Sequence, residues 1–375
     1  MCKRILASQT NTEEGVPFYK IGTIGNTPDA YISQELFDEY KAKYNYPHKG
    51  EVMITCAGTV GKCVIYDGKD AYYQDSNIVW IDNPSQYITN EFLYHLLYKV
   101  DWRKLNSTTI IRIYNDDLRN LKLNYPQIEE QQKISRLLSL LDKRIAIQSK
   151  VIEDLKKLKC AIIEDLYCSP KQRKPKRRFL EYSSQLSSYR MKDFCERITD
   201  KNKENKCSLV LTIAAQDGLV DQETFFNKSV ASENLTGYYI LHNGDFAYNR
   251  SYSSGYAWGT VKRLDKYKEG VLSTLYICFK VNESIVDSDY LSYYFESTKW
   301  HKGVSDISGE GARNHGLLNI SVTDYFNTEH RFPPIEEQKR IASILNALTV
   351  KEQKATELEK MYSKQKQYLL RQMFI

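Results

Sequence analysis

Few groupings in this chain combine the residue types and spacing that chemistry requires. The run Cys56-Ala57-Gly58-Thr59-Val60-Gly61-Lys62-Cys63 comes nearest to a phosphate-cradling loop, in which glycine amides wrap a phosphate and a lysine meets its charge. That motif needs Gly at its first place and Ser or Thr at its last, and Cys stands at both. The matching stretch Arg250–Tyr256 has no Lys at the corresponding place, so a turn between strands is the better reading. Asp82-Asn83-Pro84-Ser85 is one Pro and one aromatic short of the Asn-Pro-Pro-aromatic signature of adenine methyltransferases, and no Gly-rich cofactor loop accompanies it. The six His (48, 95, 242, 301, 315, 330) are dispersed without ligand spacing, and the eight Cys form no CxxC pair. No metal site and no catalytic constellation is expected. Asp116-Asp117 reads as a capping or solvated pair in a loop before a helix.

The bulk numbers agree with a binding protein. At 375 residues the chain can bury two cores, and 42% hydrophobic with 27% charged residues is a globular balance. A net charge of +6 is compatible with an anionic partner, and 29 Tyr against 13 Phe suits partly buried recognition surfaces. The opening MCKRILASQTNTEE lacks the apolar core of a signal peptide, and no window approaches 18 uncharged apolar residues. With scattered cysteines, this predicts a cytoplasmic protein without a membrane span.

An internal repeat sets the architecture. Tyr125–Tyr167 aligns without a gap on Phe332–Phe374 at an offset of 207, and both open with an aromatic, Pro, any residue, then Ile-Glu-Glu-Gln. Upstream, Gly50-Glu51 matches Gly244-Asp245, Gly61 falls on Gly255, and Trp102 falls on Trp300. Cys2-Lys3-Arg4-Ile5 resembles Cys195-Glu196-Arg197-Ile198. The second copy has a lead-in, Tyr189–Asp193, with no counterpart before Met1. Either the first domain lacks its opening element or another part of the chain completes it.

Each copy is a globular domain followed by a long helix. Pro126 and Pro333 sit where a helix begins, with two acidic residues just after to suit the N-terminal dipole. Apolar residues recur as Ile134, Leu138, Leu141, Ile145, Ile152, Leu155, Ile162 and Leu166, and as Ile341, Leu345, Leu348, Ala355, Leu358, Tyr362, Leu369 and Met373. This narrow seam, with no second seam on either helix, predicts that the two pair as an antiparallel coiled coil roughly 60 Å long. The alternative packs each helix on its own domain. In the globular parts Glu51–Thr55, Asn77–Ile81, Ser208–Ile213 and Leu275–Val281 read as strands, and Glu91–Leu97 and Asp289–Phe295 as short amphipathic helices. The fold class is therefore α+β, with two similar mixed α/β domains. The expected boundaries are 1–125 and 189–332 for the domains, 126–168 and 333–375 for the helices, and 169–188 for a basic linker containing SPKQRKPKRR.

An aromatic-Pro-x-Ile-Glu-Glu-Gln start to a long helix, twice, each time after a domain of this size, resembles the specificity subunits of type I restriction–modification enzymes. The resemblance covers essentially the whole chain. It implies two target-recognition domains that each read half of a split double-stranded DNA site. It also implies a helix pair that fixes their spacing and docks two modification subunits. S-adenosylmethionine, ATP and Mg would then belong to the modification and restriction subunits and not to this chain, which would be non-catalytic. The basic linker is either a solvated connection or a phosphate contact.

Target-recognition domains vary with their targets, so the resemblance carries over a region and not a residue. Base edges suit Arg, Lys, Asn and Gln, and phosphates suit those with Ser, Thr and Tyr. In the second domain YNRSYSSGYAWG offers Asn249, Arg250, Ser253, Tyr256 and Trp258, and a Gly-flanked run offers Arg313, Asn314 and His315. The repeat register places Thr55, Thr59 and Lys62 correspondingly in the first domain, with Gln74, Asn77, Thr109 and Arg112 nearby. Ordinary exposed loop side chains are the alternative at each position. Competing readings are a two-headed coiled-coil adaptor, a nucleic-acid enzyme acting alone, and a truncated or shuffled specificity subunit with an impaired first domain.

Overall fold

A computed structural model describes residues 1–74, 77–84, 87–102, 112–228, 234–251, 255–309 and 318–373. The chain divides into two compact units, Met1–Ser149 with Glu357–Ile375, and Lys150–Thr356. Each unit holds one globular part and a half of both long helices.

In the first unit β1 (Val16–Tyr19) pairs with β2 (Tyr31–Ile32) and, in parallel, with β5 (Tyr72–Tyr73). α1 (Gln34–Lys43), capped by Ser33, follows β2, and a second antiparallel sheet is ordered β4 (Cys63–Ile65), β3 (Val52–Thr55), β6 (Ile78–Ile81). All four residues of β3 are buried, because Met53 faces one cluster while Val52 and Ile54 face another with Leu93, Leu97 and Trp102. This explains why its sequence shows no alternation. α2 (Asn90–Lys99) starts at its N-cap Thr89. α3 (Asn115–Arg119) replaces the loop expected around Asp116-Asp117, and the Tyr114 amide donates to the Asp117 carboxylate at 2.7 Å, so the capping role holds. α4 (Ile128–Leu166) then runs on into the second unit.

The second unit opens with β7 (Ser187–Arg190), α5 (Met191–Phe194) and β8 (Cys195–Arg197). β9 (Leu211–Ala214), β10 (Gly218–Asp221), α6 (Gln222–Phe226) and β11 (Tyr239–His242) follow. The central sheet is ordered β13 (Thr260–Arg263), β12 (Phe246–Asn249), β15 (Ile277–Val281), β8, while β14 (Glu269–Leu272) pairs with β11. α7 (Ser288–Glu296), α8 (His301–Ile307), α9 (Val322–Phe326) and β16 (Glu329–Phe332) lead into α10 (Ile335–Met373). The strand expected from Ser208 begins at Leu211, and the helices expected at Pro126 and Pro333 begin two residues later. Cys195–Arg197 is a strand of the central sheet, but Cys2–Arg4 forms none, so that short match in sequence is not one in structure.

The glutamine of the repeated motif holds each long helix to its domain. Gln131 is buried; its amide nitrogen donates to the carbonyls of Tyr87 and Pro126, both at 2.8 Å, and its oxygen accepts from the Thr89 amide at 2.9 Å. Gln338 does the same with Ile285 at 3.1 Å, Pro333 at 2.9 Å and the Asp287 amide at 2.8 Å. Thr89 and Asp287 are the N-caps of α2 and α7, so one side chain fixes the angle between two helices in each unit.

Within each unit the long helices run antiparallel. In the first, Lys366 meets Asp142 at 2.5 Å and Glu359 accepts from Ser149. In the second, Lys159 lies 3.9 Å from Glu352, while Ile163 and Tyr167 share a cluster with Ile341, Ala342 and Leu345. The seam keeps its 3–4 spacing through Gln148 and Lys159 on α4 and Glu352, Glu359 and Lys366 on α10, all partly buried. Polar and charged side chains thus fill the gaps in the apolar pattern and fix register. The expectation of no second seam fails on α4. Leu137, Leu140 and Ile147 in the first unit, and Val151 and Leu158 in the second, are exposed at helical spacing away from the seam.

Candidate nucleic-acid interface

In the first unit the β3–β4 turn is closed by Thr55. Its hydroxyl donates to the Thr59 carbonyl and accepts from the Lys62 amide at 3.0 Å, and the side chain is fully buried. Thr55 therefore holds the turn and cannot reach a ligand, which corrects its assignment as a reader. Thr59 is left exposed at the tip and Lys62 half-exposed on the flank. Gly61 must be glycine: its φ is +84°, and a Cβ there would overlap the Trp102 indole.

Backbone bonds bring other candidates to the same end of the sheet. The Cys56 amide donates to the Asn77 carbonyl at 2.7 Å, and the Ile113 amide donates to the Cys56 carbonyl at 2.9 Å. Asn77 and Arg112 thus flank the turn, with the Arg112 guanidinium 5.9 Å from the exposed Tyr114 ring. Gln74 is committed elsewhere, since its amide oxygen accepts from the Ile21 amide at 3.3 Å. That bond draws in the turn 20–25, whose Lys20 pairs with Asp29 at 3.1 Å. Sequence reasoning missed this turn because it carries no motif. Burial pushes the Cys56 thiol up to about 11 and the Cys63 thiol up to about 12, so both are neutral packing groups and not nucleophiles.

The second unit builds the same sheet end with different side chains. The Leu318 amide donates to the Arg250 carbonyl at 2.9 Å, as Ile113 does to Cys56. Arg250 is not a free reader: its guanidinium donates to the carbonyls of Ile320 at 2.9 Å and Leu275 at 3.1 Å, tying two segments together. Asn249 accepts from the Ser251 amide at 2.9 Å and is half-spent on the turn. Trp258 packs partly on the core, and its carbonyl accepts from the Tyr248 hydroxyl at 2.8 Å. Tyr256 stays half-exposed beside Gly255. Thr109, Ser253, Arg313, Asn314 and His315 lie outside the described residues.

The basic linker is partly neutralised. Arg178 grips the buried Glu337 with Nε at 2.8 Å and Nη2 at 2.5 Å, Arg177 meets Asp165 at 3.2 Å, and Lys171 meets Asp306 at 3.7 Å. Arg173, Lys174 and Lys176 are exposed. Among the described residues no group of His, Cys, Asp and Glu is placed to hold a metal ion.

Comparison with known proteins agrees with this geometry. Residues 1–157 match the type I restriction modification DNA specificity domain. A putative type I restriction enzyme specificity subunit of Haemophilus influenzae is 49% identical over 155 residues, 41% of this chain and 40% of that protein. The putative MjaX specificity subunit of Methanocaldococcus jannaschii is 26% identical over 178 residues, 44% of this chain and 41% of that one. The chain thus spans about two-fifths of the length of the curated relatives it matches. In fold it is similar to the type I restriction-modification S subunit of M. genitalium, with a TM-score of 0.58 at 15% identity over 100% of this chain and 92% of that one. A type I restriction–modification structure describing complex assembly gives a TM-score of 0.51 at 15% identity, over 97% and 92%. With that domain on its first 157 residues and this fold across its described length, the chain is similar to the specificity subunits of type I restriction–modification systems.

Proposed function

We propose that this chain selects a split DNA sequence, each globular part reading one half. One observation carries the reading. Both units deliver a returning segment to the same sheet end through an equivalent bond, Ile113 to Cys56 and Leu318 to Arg250. The turn so presented carries exposed Thr59 in the first unit and half-exposed Tyr256 in the second. In the first unit Thr59, Lys62, Asn77 and Arg112 are the contacts we assign, and in the second Tyr256 with the polar atoms of Asn249 left over from the turn. Thr55, Gln74 and Arg250 shape the surface instead.

The antiparallel helices set the spacing between the two halves, because a two-part site needs readers held in phase with the duplex, whose repeat is ~34–36 Å. The exposed apolar residues on α4 offer the surface for modification subunits. Catalysis belongs to those partners, which carry S-adenosylmethionine, and to restriction subunits with ATP and Mg. The chain itself is non-catalytic and works in the cytoplasm; no helix among the described residues is long and apolar enough to cross a membrane. The domain limits that fit this division of labour are 1–125 and 189–332.

Selection of fragments from a random DNA pool by the chain bound to its modification subunit tests the proposal. A two-part consensus with one fixed gap is expected. Retention without sequence preference would favour the adaptor reading.

A further inference from the structure

The two units differ at one edge. In the second, β16 pairs with β7 in the register Glu329↔Arg190, His330↔Tyr189, Arg331↔Ser188, Phe332↔Ser187. The segment that supplies β7 also supplies Arg178 to Glu337, and it lays Met191 and Phe194 on Phe332, which is 0% exposed. At the repeat offset of 207 the first unit has Lys122–Tyr125 in place of β16 and Glu130 in place of Glu337. Among the described residues no strand pairs with Lys122–Tyr125, and Glu130 is exposed without an ion pair. Tyr125, standing where Phe332 is sealed, is 48% exposed.

We propose that Lys122–Tyr125 with Glu130 is a strand-addition site for an extended segment with the chemistry of residues 176–194. Lys122–Tyr125 lies in no sheet among the described residues, and its main chain can pair with an incoming strand as β16 pairs with β7. The occupant brings an arginine to Glu130, a four-residue strand to Lys122–Tyr125, and apolar side chains to cover Tyr125. It is not an identical copy of 176–194. Arg190 stands opposite Glu329 in the second unit, and Lys122 takes Glu329's place in the first. Like charges directly opposite repel, so the occupant carries Asp or Glu at that position.

The test is a fluorescein-labelled peptide of residues 176–194 with Arg190→Glu, titrated with the full chain and read by fluorescence anisotropy. Saturable binding is expected. It should weaken about tenfold with Glu130→Gln in the chain or Arg178→Ala in the peptide, since each removes a charge-assisted bond. A peptide with both Ser188→Pro and Tyr189→Pro should not bind: successive amides point to opposite sides of a strand, so one lost N–H must belong to the ladder. The peptide that keeps Arg190 should bind more weakly. No binding up to the millimolar range by a chain with a folded circular dichroism spectrum overturns the proposal. Binding indifferent to Glu130→Gln also overturns it, because the peptide then sits elsewhere.

Discussion

Gln131 on α4 and Thr89 at the start of α2 are joined by a 2.9 Å bond from the Thr89 amide to the Gln131 side-chain oxygen, and Gln338 and Asp287 repeat it at 2.8 Å. A side chain with both a donor and an acceptor is needed, because it also donates to two carbonyls. Gln131→Ala should leave those part-buried groups without their partner and destabilise the first unit by about 1–2 kcal/mol. Gln131→Glu should cost more, since a carboxylate would face two carbonyl oxygens. Urea denaturation followed by circular dichroism measures both, and equal stability of the three proteins would refute the latch.

Arg178 and Glu337 form the most enclosed ion pair of the second unit, with Glu337 2% exposed. The Glu337 carboxylate beside it holds the Arg178 guanidinium firmly protonated. Glu337→Gln should cost about 3 kcal/mol, as expected when one partner of a buried pair is lost. Replacing both with Met and Leu should cost much less, and the gap between single and double variants in a thermal melt is the readout.

His95 occupies the place in α2 that Tyr293 occupies in α7, and it is buried with no partner for Nδ1 among the described residues. Burial, helped by the nearby Lys366 ammonium and opposed by Asp142, lowers its pKa to about 4. The folded state therefore favours neutral imidazole, while an unfolded His takes up a proton below about pH 6.5. His95 contributes full stability above that pH and loses it as pH falls towards 4, about 2 kcal/mol by pH 5. Hydrogen exchange in α2, corrected for intrinsic rates, should show protection falling between pH 7.5 and 5. His95→Gln should flatten that fall, and an unchanged slope would assign the acid sensitivity to other groups.

Thr55 and Lys62 separate a shaping role from the proposed reading role. Thr55→Val should lower stability by about 1 kcal/mol or more, through the lost turn bonds, while the intact fraction binds DNA normally. Lys62→Ala should leave the melting temperature within a degree or two, and Lys62→Ala and Arg112→Ala are the two variants aimed at DNA. Each should weaken DNA binding and reduce its salt slope by about 1 if the side chain meets a phosphate. Affinity measured between 50 and 200 mM salt distinguishes the two classes.

The long helices and the duplication were legible because they rest on spacing: a gapless offset, a heptad seam and a motif whose glutamine proves buried in both copies. Individual contacts were not. Thr55 and Arg250 have the residue types of readers, yet tertiary folding spends them on backbone groups: Arg250 on Leu275 and Ile320, which are distant in sequence. Lys159, Glu352 and Lys366 looked like breaks in the seam because their pairing depends on which helix lies opposite. The exposed apolar residues of α4 were hidden among its charges, and only burial separated them from the seam.

The most direct test of the two proposed readers joins the chain to a type I modification subunit in a host free of other adenine methylation, and maps methylated adenines across the genome. A single split motif with a fixed gap is predicted, and exchanging residues 189–332 for those of a relative should change one half and leave the other half and the gap intact. A change in both halves, or a motif that was never split, would contradict the account.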